Sequence, residues 1–460
     1  MIGFLNREQI NYILFHLGHH IRLDDSISQY FVFVKSPGEI TNHSQKIIFL
    51  LSEKDINIDR VIYSEKIPIL FPVDKVQTPY SLENGNLIIN HDLLKSAFYL
   101  LSGEQEYKSG AKDSMGRYSY EDSIQYKLNV TQIPVVNYYF DFIIHGISEF
   151  CALHNIEISR TSFSNNFIFS LSHDVDRVKY YSLNILLFKS KQLLGLAKRD
   201  RKKSLLINEI FSILVNTLNI FNRKDPYWNF DFLNRTEKKL DIHSTYYFLP
   251  KDQKHIDSYY RLGSRKIKSL IINLRSEGHE IGLHSTVRSS TSLDALKKNY
   301  NELFNVTQQS LMGIRQHRLM WQHPLTAINH ENAGLAYDST LLFAAHEGFR
   351  NSYCHLFKLW DFENNRMLSH WEIPLEVMDA TIFYYRKLGF VEAWNSIESI
   401  INEVKRFNGI FTLLWHNHYF DENELPGIKN FYLELLTKVS TLEPEAFTGL
   451  EIVKRFEGNG

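Results

Sequence analysis

Two carboxylates follow a short apolar run near the middle of the chain. Residues 169–177 read FSLSHDVDR, so the run ends in His173, Asp174 and Asp176. Residues 167–171 are typical of a buried strand, and side chains two residues apart on a strand point to the same side. We therefore expect Asp174 and Asp176 to share one small site, which needs a cation or a bound proton to offset their repulsion. A helix N-cap followed by a solvated aspartate is the alternative that this stretch alone leaves open.

Further titratable side chains end other predicted strands. They are His284, Arg315, His317, Asp338, Asp379 and His416. In parallel α/β sheets and barrels, the residues just beyond the carboxyl ends of the strands meet on one face, where catalytic groups collect. The sequence therefore predicts a common site at that face.

Three polar residues keep two interpretations each. Asp338 and Asp379 could contact a substrate, or they could cap or hold a loop. Arg350, in the tripeptide GFR, could bind a carboxylate or phosphate of a substrate, or it could be an ordinary exposed arginine.

The elements that must position these groups divide the chain in two. From residue 167 onward, predicted strands alternate with helices, which favours parallel βα units over residues 161–460. Residues 1–160 are predicted to form a smaller α/β domain with strands over 29–35, 46–51, 61–71 and 87–89 and helices over 91–101 and 135–154. Between these two predicted helices, residues 103–129 are rich in turn residues and are predicted to be a loop. No paired acids or metal-ligand spacing stand out in residues 1–160, so we expect a structural or partner-binding role for them.

A basic and amphipathic insertion, residues 179–231, separates the first two strands of the second part. It contains the sequence KSKQLLGLAKRDRKKS. An apolar stripe at helical spacing follows it, made of Leu206, Ile210, Ile213, Leu214, Thr217 and Phe221. The stripe indicates a helix packed on its own domain, with a lid or a membrane-surface helix for a lipid-linked substrate as the alternative.

Composition limits the class of protein. The chain has 460 residues, of which 44% are hydrophobic, enough for at least one large core. Its net charge of -1 gives no electrostatic argument for nucleic-acid binding. Cys151 and Cys354 are too few for a disulfide framework. Because the sequence has no apolar run of about 18 residues and its N-terminus lacks the apolar core of a signal peptide, we expect a cytoplasmic protein.

Five short motifs carry a resemblance to a known family. They are SHDVD, GHEIGLHS, GIRQHRL, AYDST and FTLLWHNH, in that order across residues 171–418. This ordered set resembles the motifs of the polysaccharide deacetylases, the NodB-homology carbohydrate esterases. The N-terminal part, especially AFYLLSGEQEY, resembles the extension of some bacterial members.

The resemblance implies a fold and a chemistry. The implied fold is a distorted (β/α) barrel, and the implied reaction removes an acetyl group from an N-acetylated sugar or glycan with a divalent metal, usually zinc. Asp174 is similar to the general base, and Asp176 and His284 are similar to metal ligands. Arg315 resembles the arginine that keeps the base ionised, and His416 resembles the general acid.

One departure from the family pattern concerns the metal. The family has a second histidine four residues after the first, but this sequence has Arg288 there, and an arginine cannot bind a metal ion. His317 is the favoured replacement because it lies two residues beyond Arg315, on the same side if the strand continues. His173 is the second candidate, and a weakened or metal-free site is the alternative to both.

Two other functions remain open at this point. The DVD sequence also resembles the metal-binding DxD of a glycosyltransferase, although that reading leaves His284, Arg315 and His416 without a role. A non-catalytic sugar-binding relative is the third possibility, because of Arg288.

Overall fold

The computed structural model describes residues 3–73, 76–161, 164–197, 203–218, 224–251, 258, 260–422 and 424–458. Phe221, one member of the predicted apolar stripe, lies outside the described residues. The elements of the first part are α1 Arg7–Leu17, α2 Asp25–Ser28, β1 Phe31–Val34, β2 Ile47–Leu50, β3 Ile62–Ser64, β4 Ile67–Ile69, β5 Tyr80–Glu83, β6 Asn86–Ile89, α3 Leu93–Leu101, α4 Glu104–Lys108, α5 Ile124–Lys127 and α6 Val135–His154.

The elements of the second part alternate strands and helices. They are β7 Ile168–Val175, α7 Leu183–Leu193, α8 Lys203–Thr217, α9 Phe230–Lys239, β8 Thr245–Phe248, α10 Arg265–Ser276, β9 Glu280–Ser285, α11 Leu293–Thr307, β10 Gly313–Gln316, α12 Leu325–Asn332, β11 Tyr337–Asp338, β12 Phe357–Asp361, β13 Arg366–Glu372, β14 Val377–Met378, α13 Phe390–Arg406, β15 Ile410–Leu414, α14 Ile428–Ser440, β16 Glu445–Ala446 and α15 Gly449–Gly458.

The first part contains a four-stranded sheet in the order β1-β2-β6-β5. The predicted strands over 29–35, 46–51 and 87–89 and the predicted helix over 135–154 are confirmed. The predicted strand over 61–71 is instead a short antiparallel hairpin of β3 and β4. Two short helices, α4 and α5, lie within the predicted loop 103–129.

The second part is an α/β fold built on a curled, barrel-like sheet of ten strands. Its order is β12-β13-β11-β10-β9-β8-β7-β15-β14, and β16 pairs with the beginning of β7. All pairs are parallel except β12 with β13. Pairing ends at β12 and β14, so the described strands form an open barrel whose carboxyl ends lie at one face.

Strand β7 shows how the sheet divides its two faces. Phe169, Leu171 and Val175 belong to the outer core, which is formed with the surrounding helices. Ile168, on the opposite face, belongs to an inner core under α15. Because side chains alternate along a strand, Asp174 faces inward like Ile168, at the other end of β7.

Two buried tyrosines fill the inside of the barrel below the carboxyl ends. Tyr247 on β8 lies beside Gly282 of β9, and Tyr337 on β11 lies beside Gly313 of β10. A Cβ atom on Gly313 would come within 2.2 Å of the Tyr337 hydroxyl, so each large ring needs the glycine on the neighbouring strand. The two hydroxyl groups lie 3.3 Å apart, and that of Tyr337 donates a hydrogen bond to Glu280.

The two parts share a hydrophobic core. Tyr12, Phe98 and Tyr139 of the first part pack in one cluster with Leu359 and Trp360 of β12. The division into domains at residue 160 stays a prediction. Among the described residues, no helix is both long and apolar enough to cross a membrane.

Candidate active site

The carboxyl ends of four strands bring the predicted polar groups together. Asp174 lies in β7 and Asp176 follows it, while His284 lies in β9 directly beside Arg315 of β10. His317 follows β10 in a 3-10 turn. His416 lies two residues after the end of β15.

Arg315 fixes the position of Asp174. Its guanidinium is fully buried, donates to Asp174 Oδ1 at 3.0 Å and packs over the ring of Tyr247. Its remaining donors bind Ser172 Oγ and both oxygens of Ser339. Since every donating nitrogen is occupied, the positive charge is held rigidly against the Asp174 side chain.

A three-residue cluster lies beside this pair. One ligand atom from each of Asp176, His284 and His317 lies within 4.8 Å of the other two. His284 Nε2 is 3.2 Å from Asp176 Oδ1, and His317 Nε2 is 3.8 Å from Asp176 Oδ2. This geometry brings His317 to the cluster, and its role as a metal ligand stays a prediction.

These three residues fit a divalent metal ion. His284 Nδ1 lies 2.9 Å from the Arg315 carbonyl, which can only accept, so Nδ1 carries the proton and Nε2 offers a lone pair to the cluster. His284 Nε2 and Asp176 Oδ1 are both buried, and although they lie 3.2 Å apart, neither makes a hydrogen bond of ordinary geometry with any described residue. One carboxylate and two imidazoles make a donor set that zinc commonly takes at catalytic sites.

Electrostatics at the cluster also favour a cation. Burial raises the pKa of Asp176, but His317, His284 and His416 outweigh it and hold that pKa well below its ordinary value. Burial lowers the pKa of His284, yet Asp174 and Asp176 raise it above its ordinary value. The carboxylates thus draw positive charge into a space that a metal ion could occupy.

His416 is oriented by a buried carboxylate. Its Nδ1 donates to Asp379 Oδ1 at 2.7 Å, and its backbone N–H donates to Asp379 Oδ2 at 2.6 Å. Burial lowers the pKa of His416, but the Asp379 carboxylate, with Asp176 and Asp174, raises it to about 10. The His416 Nε2 lies 3.7 Å from Asp176 Oδ2 and 4.0 Å from Asp174 Oδ2, so His416 can hold a proton opposite these carboxylates.

Three of the predicted residues lie apart from the cluster or act through another residue. Asp379 contacts His416 and holds it in place. Asp338 is fully buried and binds His330 and Thr340. Arg350 is buried and makes a two-pronged ion pair with Glu106 of the first part, with both distances 2.7 Å.

The structure also distinguishes His317 from His173, the two candidates to replace the histidine that is absent at position 288. His173 faces the helices, where it contacts the Trp415 carbonyl and Glu237, so it points away from Asp176. Arg288, where the family has a histidine, is exposed in a 3-10 turn. Only His317 of these three lies at the cluster.

Two cavities open from the cluster. The larger, about 520 Å³, borders Asp176 and His317 and is lined by aromatic rings that include Tyr227, Tyr384 and Tyr419. The smaller, about 230 Å³, borders Asp174 and His416. A volume of the larger size accommodates a small organic ligand.

Met115 and Arg117 of the first part also line the smaller cavity. The guanidinium of Arg117 bonds to Asp113 and donates to the Arg318 carbonyl at 2.9 Å. Neither residue was predicted from the sequence to lie at the site. Both lie in residues 108–119, KSGAKDSMGRYS, whose glycines and charged residues indicate a loop. This composition does not predict which part of the fold the loop contacts.

Comparison with known proteins gives a family match for the first part. Residues 6–151 match a family described as a family of unknown function, DUF7033. No curated protein matches the chain.

Solved structures resemble about two thirds of the chain. A protein of Mycobacterium smegmatis assigned as a polysaccharide deacetylase has a TM-score of 0.41 at 14% identity, covering 64% of this chain and 91% of that chain. A wild-type CE4 family pseudoenzyme from Bacillus anthracis has a TM-score of 0.32 at 10% identity, covering 65% and 71%. The peptidoglycan deacetylase PdaC from Bacillus subtilis has a TM-score of 0.29 at 13% identity, covering 64% and 93%.

Proposed function

We propose that the protein is a metal-dependent hydrolase that removes the acetyl group from an N-acetylated sugar or glycan. One observation carries the proposal: Asp174, held by Arg315, and His416, held by Asp379, face the same small space beside the cluster of Asp176, His284 and His317, whose donors fit a metal ion. A base and an acid on two sides of one bond are what amide hydrolysis requires. The five sequence motifs, which occur in the family order, also support it.

Asp176, His284 and His317 would hold the metal ion. The nitrogen and oxygen donors favour zinc among the common divalent ions. A bound zinc ion would polarise the amide carbonyl and make a water molecule more acidic.

Asp174 and His416 would move the protons. Asp174, which Arg315 holds in place, accepts a proton from the attacking water. The oxygen of that water forms a bond to the acetyl carbon. His416 then donates its Nε2 proton to the sugar nitrogen as the carbon–nitrogen bond breaks, which gives acetate and an amino sugar.

The larger cavity would hold the sugar. Its aromatic lining offers flat apolar faces, and Asp421 and Glu424 supply polar groups at its edge. Sugar rings have both apolar faces and hydroxyl groups, so a mixed lining of this kind suits them.

Residues 1–160 would serve as a structural domain that completes the site, and residues 161–460 would form the deacetylase domain with its helical insertion at 179–231. The packing of Tyr12 and Trp360 in one core and the approach of Met115 to the smaller cavity support this assignment.

The test is acetate release from N-acetylated mono- and oligosaccharides by zinc-loaded protein. We expect release that falls by about a hundredfold or more in Asp174→Asn and in His416→Ala, because each removes one proton-transfer group. Asp59→Asn and His145→Ala, both on the exposed surface of the first part, are matched controls that should retain activity.

Three results would contradict the proposal. Acetate release that persists in both variants would remove Asp174 and His416 from the chemistry. Turnover of a nucleotide sugar would favour a glycosyltransferase instead. Saccharide binding without acetate release by the zinc-loaded protein would favour a non-catalytic relative.

A further inference from the structure

Helices α7 and α8 form a hairpin whose outer face is apolar and exposed. The exposed side chains on α7 and just after it are Leu183, Leu187, Phe188, Leu194 and Leu196, and those on α8 and just after it are Ile207, Phe211, Leu214 and Leu218. Leu187 is 61% exposed and Phe211 is 67% exposed. In the described part of the chain, no other segment of similar length concentrates so many exposed large apolar side chains. We call these nine residues the apolar face.

The spacing of the apolar face is regular. Ile207, Phe211, Leu214 and Leu218 follow one another at intervals of four, three and four residues, which puts them on one side of α8. Leu183 and Leu187 are likewise one helical turn apart on α7. The two helices contact each other, so their stripes belong to one hairpin.

The opposite side of the hairpin is packed against the protein. Lys189 of α7 forms a buried ion pair with Glu209 of α8 at 3.1 Å, and Tyr180 bonds to the same carboxylate. Ile213 is completely buried with Tyr180 and Tyr227. The hairpin therefore has an anchored side and an apolar side that is exposed among the described residues.

Charge favours an anionic surface as the partner of the apolar face. The described residues of 177–203 include four exposed cationic side chains, Arg177, Lys179, Lys191 and Lys203, and no acidic one, although the whole chain has a net charge of -1. We call these four residues the basic segment. A symmetric contact between two copies would bring two such basic segments together, which is unfavourable. An apolar face beside a basic segment is typical of helices that lie in the interface of an anionic bilayer.

The hairpin also borders the candidate active site. Ile185, Phe188 and Lys189 of α7 line the larger cavity together with Asp176 and His317. A bilayer that covers the apolar face would therefore lie next to the entrance of that cavity.

We propose that the apolar face and its basic segment dock the protein on an anionic membrane surface, where the active site receives a saccharide attached to a lipid. The second half of this statement rests on the proposed deacetylase function. The docking itself depends only on the hairpin.

Vesicle co-sedimentation of the full-length protein tests the docking. We expect binding to vesicles of phosphatidylcholine and phosphatidylglycerol in equal parts, little binding to pure phosphatidylcholine, and weaker binding as salt rises. The double variant Leu187→Ser with Phe211→Ser should weaken binding by about tenfold or more, because two apolar side chains lose their place in the bilayer. Lys191→Glu, which changes an exposed charge of the basic segment, should weaken it too.

The matched control is Ile272→Ser, which changes a similarly exposed apolar residue on α10, outside the hairpin. It should bind vesicles like the unaltered protein, and equal thermal melting of all variants shows that they fold. Binding that the double variant retains, or a stable dimer that only this variant loses, would overturn the proposal.

A second measurement separates this proposal from the deacetylase function. Acetate release should be several-fold faster from a lipid-linked N-acetyl sugar in the anionic vesicles than from the same sugar free in solution, and the double variant should lose that difference. Vesicle binding without any acetate release would leave the docking intact and contradict the deacetylase function alone.

Discussion

At the scale of residues, two rules predicted which titratable side chains would meet: side chains alternate along a strand, and the carboxyl ends of parallel strands lie at one face. They did not single out Asp338, which also ends a predicted strand but binds His330 away from the cluster. Asp174, His284, Arg315 and His416 all follow from these two rules, and the structure brings them together. The role of Asp379 did not follow, because a sequence gives no distance between the ends of β14 and β15. The sequence also could not show whether Arg350 binds a substrate or a residue of the protein, because its partner Glu106 is 244 positions away.

His317 gives the sharpest prediction at this scale. Replacing it in His317→Ala removes one of three donors, so we expect zinc affinity to fall by at least about 100-fold, more than the loss of an indirect partner usually costs. Zinc content after dialysis, measured by atomic absorption, checks this.

Arg288→Ala is the control for that measurement. The exposed arginine at the position of the missing family histidine should leave the zinc content unchanged. Equal zinc in His317→Ala and in the unaltered protein would exclude His317 as a ligand.

At the scale of elements, regular patterns predicted well and irregular ones did not. The helix predicted over 135–154 has the same bounds as α6, because its apolar face repeats without interruption from Tyr139 to Phe150. The antiparallel pair β12 and β13 was not predicted. Its register shifts between Lys358 and Trp360, which breaks the simple alternation of a strand.

The loop around Met115 carries a prediction about substrate binding. Met115 lines the smaller cavity beside Asp174 and His416. Met115→Ala therefore removes a side chain that would contact the bound sugar and leaves the two proposed proton-transfer groups unchanged. We expect KM for the N-acetylated sugar to rise by between about threefold and tenfold with little change in kcat.

Steady-state kinetics of Leu153→Ala provide the comparison. Leu153 is an exposed apolar residue on α6, and its removal should change neither constant. An unaltered KM in Met115→Ala would mean that the loop borders the cavity without contacting the sugar.

At the scale of the whole molecule, composition suggested two parts but could not reveal how closely they join. Contacts between the parts include two buried neutral histidines. His16 donates from Nδ1 to the Tyr12 carbonyl and accepts from the Lys358 backbone N–H. His355 Nε2 lies 3.1 Å from the Phe407 carbonyl, so its Nδ1 accepts from the Asn137 amide. A second proton on either ring would displace one of these bonds.

The buried histidines between the two parts predict that the protein loses free energy of unfolding at acidic pH. Burial lowers the pKa of His355 to about 4, whereas an unfolded histidine titrates near its ordinary value of 6.5. As the pH falls below 6.5, His355 therefore gains a proton in the unfolded state before it does in the folded state. The stability that the neutral, buried His355 contributes is fully present only above pH 6.5 and is lost as the pH falls towards 4. We expect His355 to account for about 2 kcal/mol of the free energy of unfolding lost by about pH 5.

Urea unfolding at neutral pH and at the acidic pH measures this contribution. In His355→Gln the difference between the two free energies should shrink by about that amount, while His145→Gln, an exposed histidine on α6, should leave it unchanged. The same difference in all three proteins would place the acid sensitivity elsewhere.

The two tyrosines inside the barrel limit the paths by which products could leave the proposed enzyme. Tyr247 and Tyr337 are buried below Arg315, and the packing around Gly313 and Gly449 leaves no room for a Cβ atom beside the ring of Tyr337. Acetate that the proposed enzyme would form at Asp174 has no route along the barrel axis between these described residues, so it would leave through the cavities at the carboxyl ends of the strands. An amino sugar bound in the larger cavity would close that exit and leave the smaller cavity, beside Asp174 and His416, to acetate, so the two products would depart on different sides of the site.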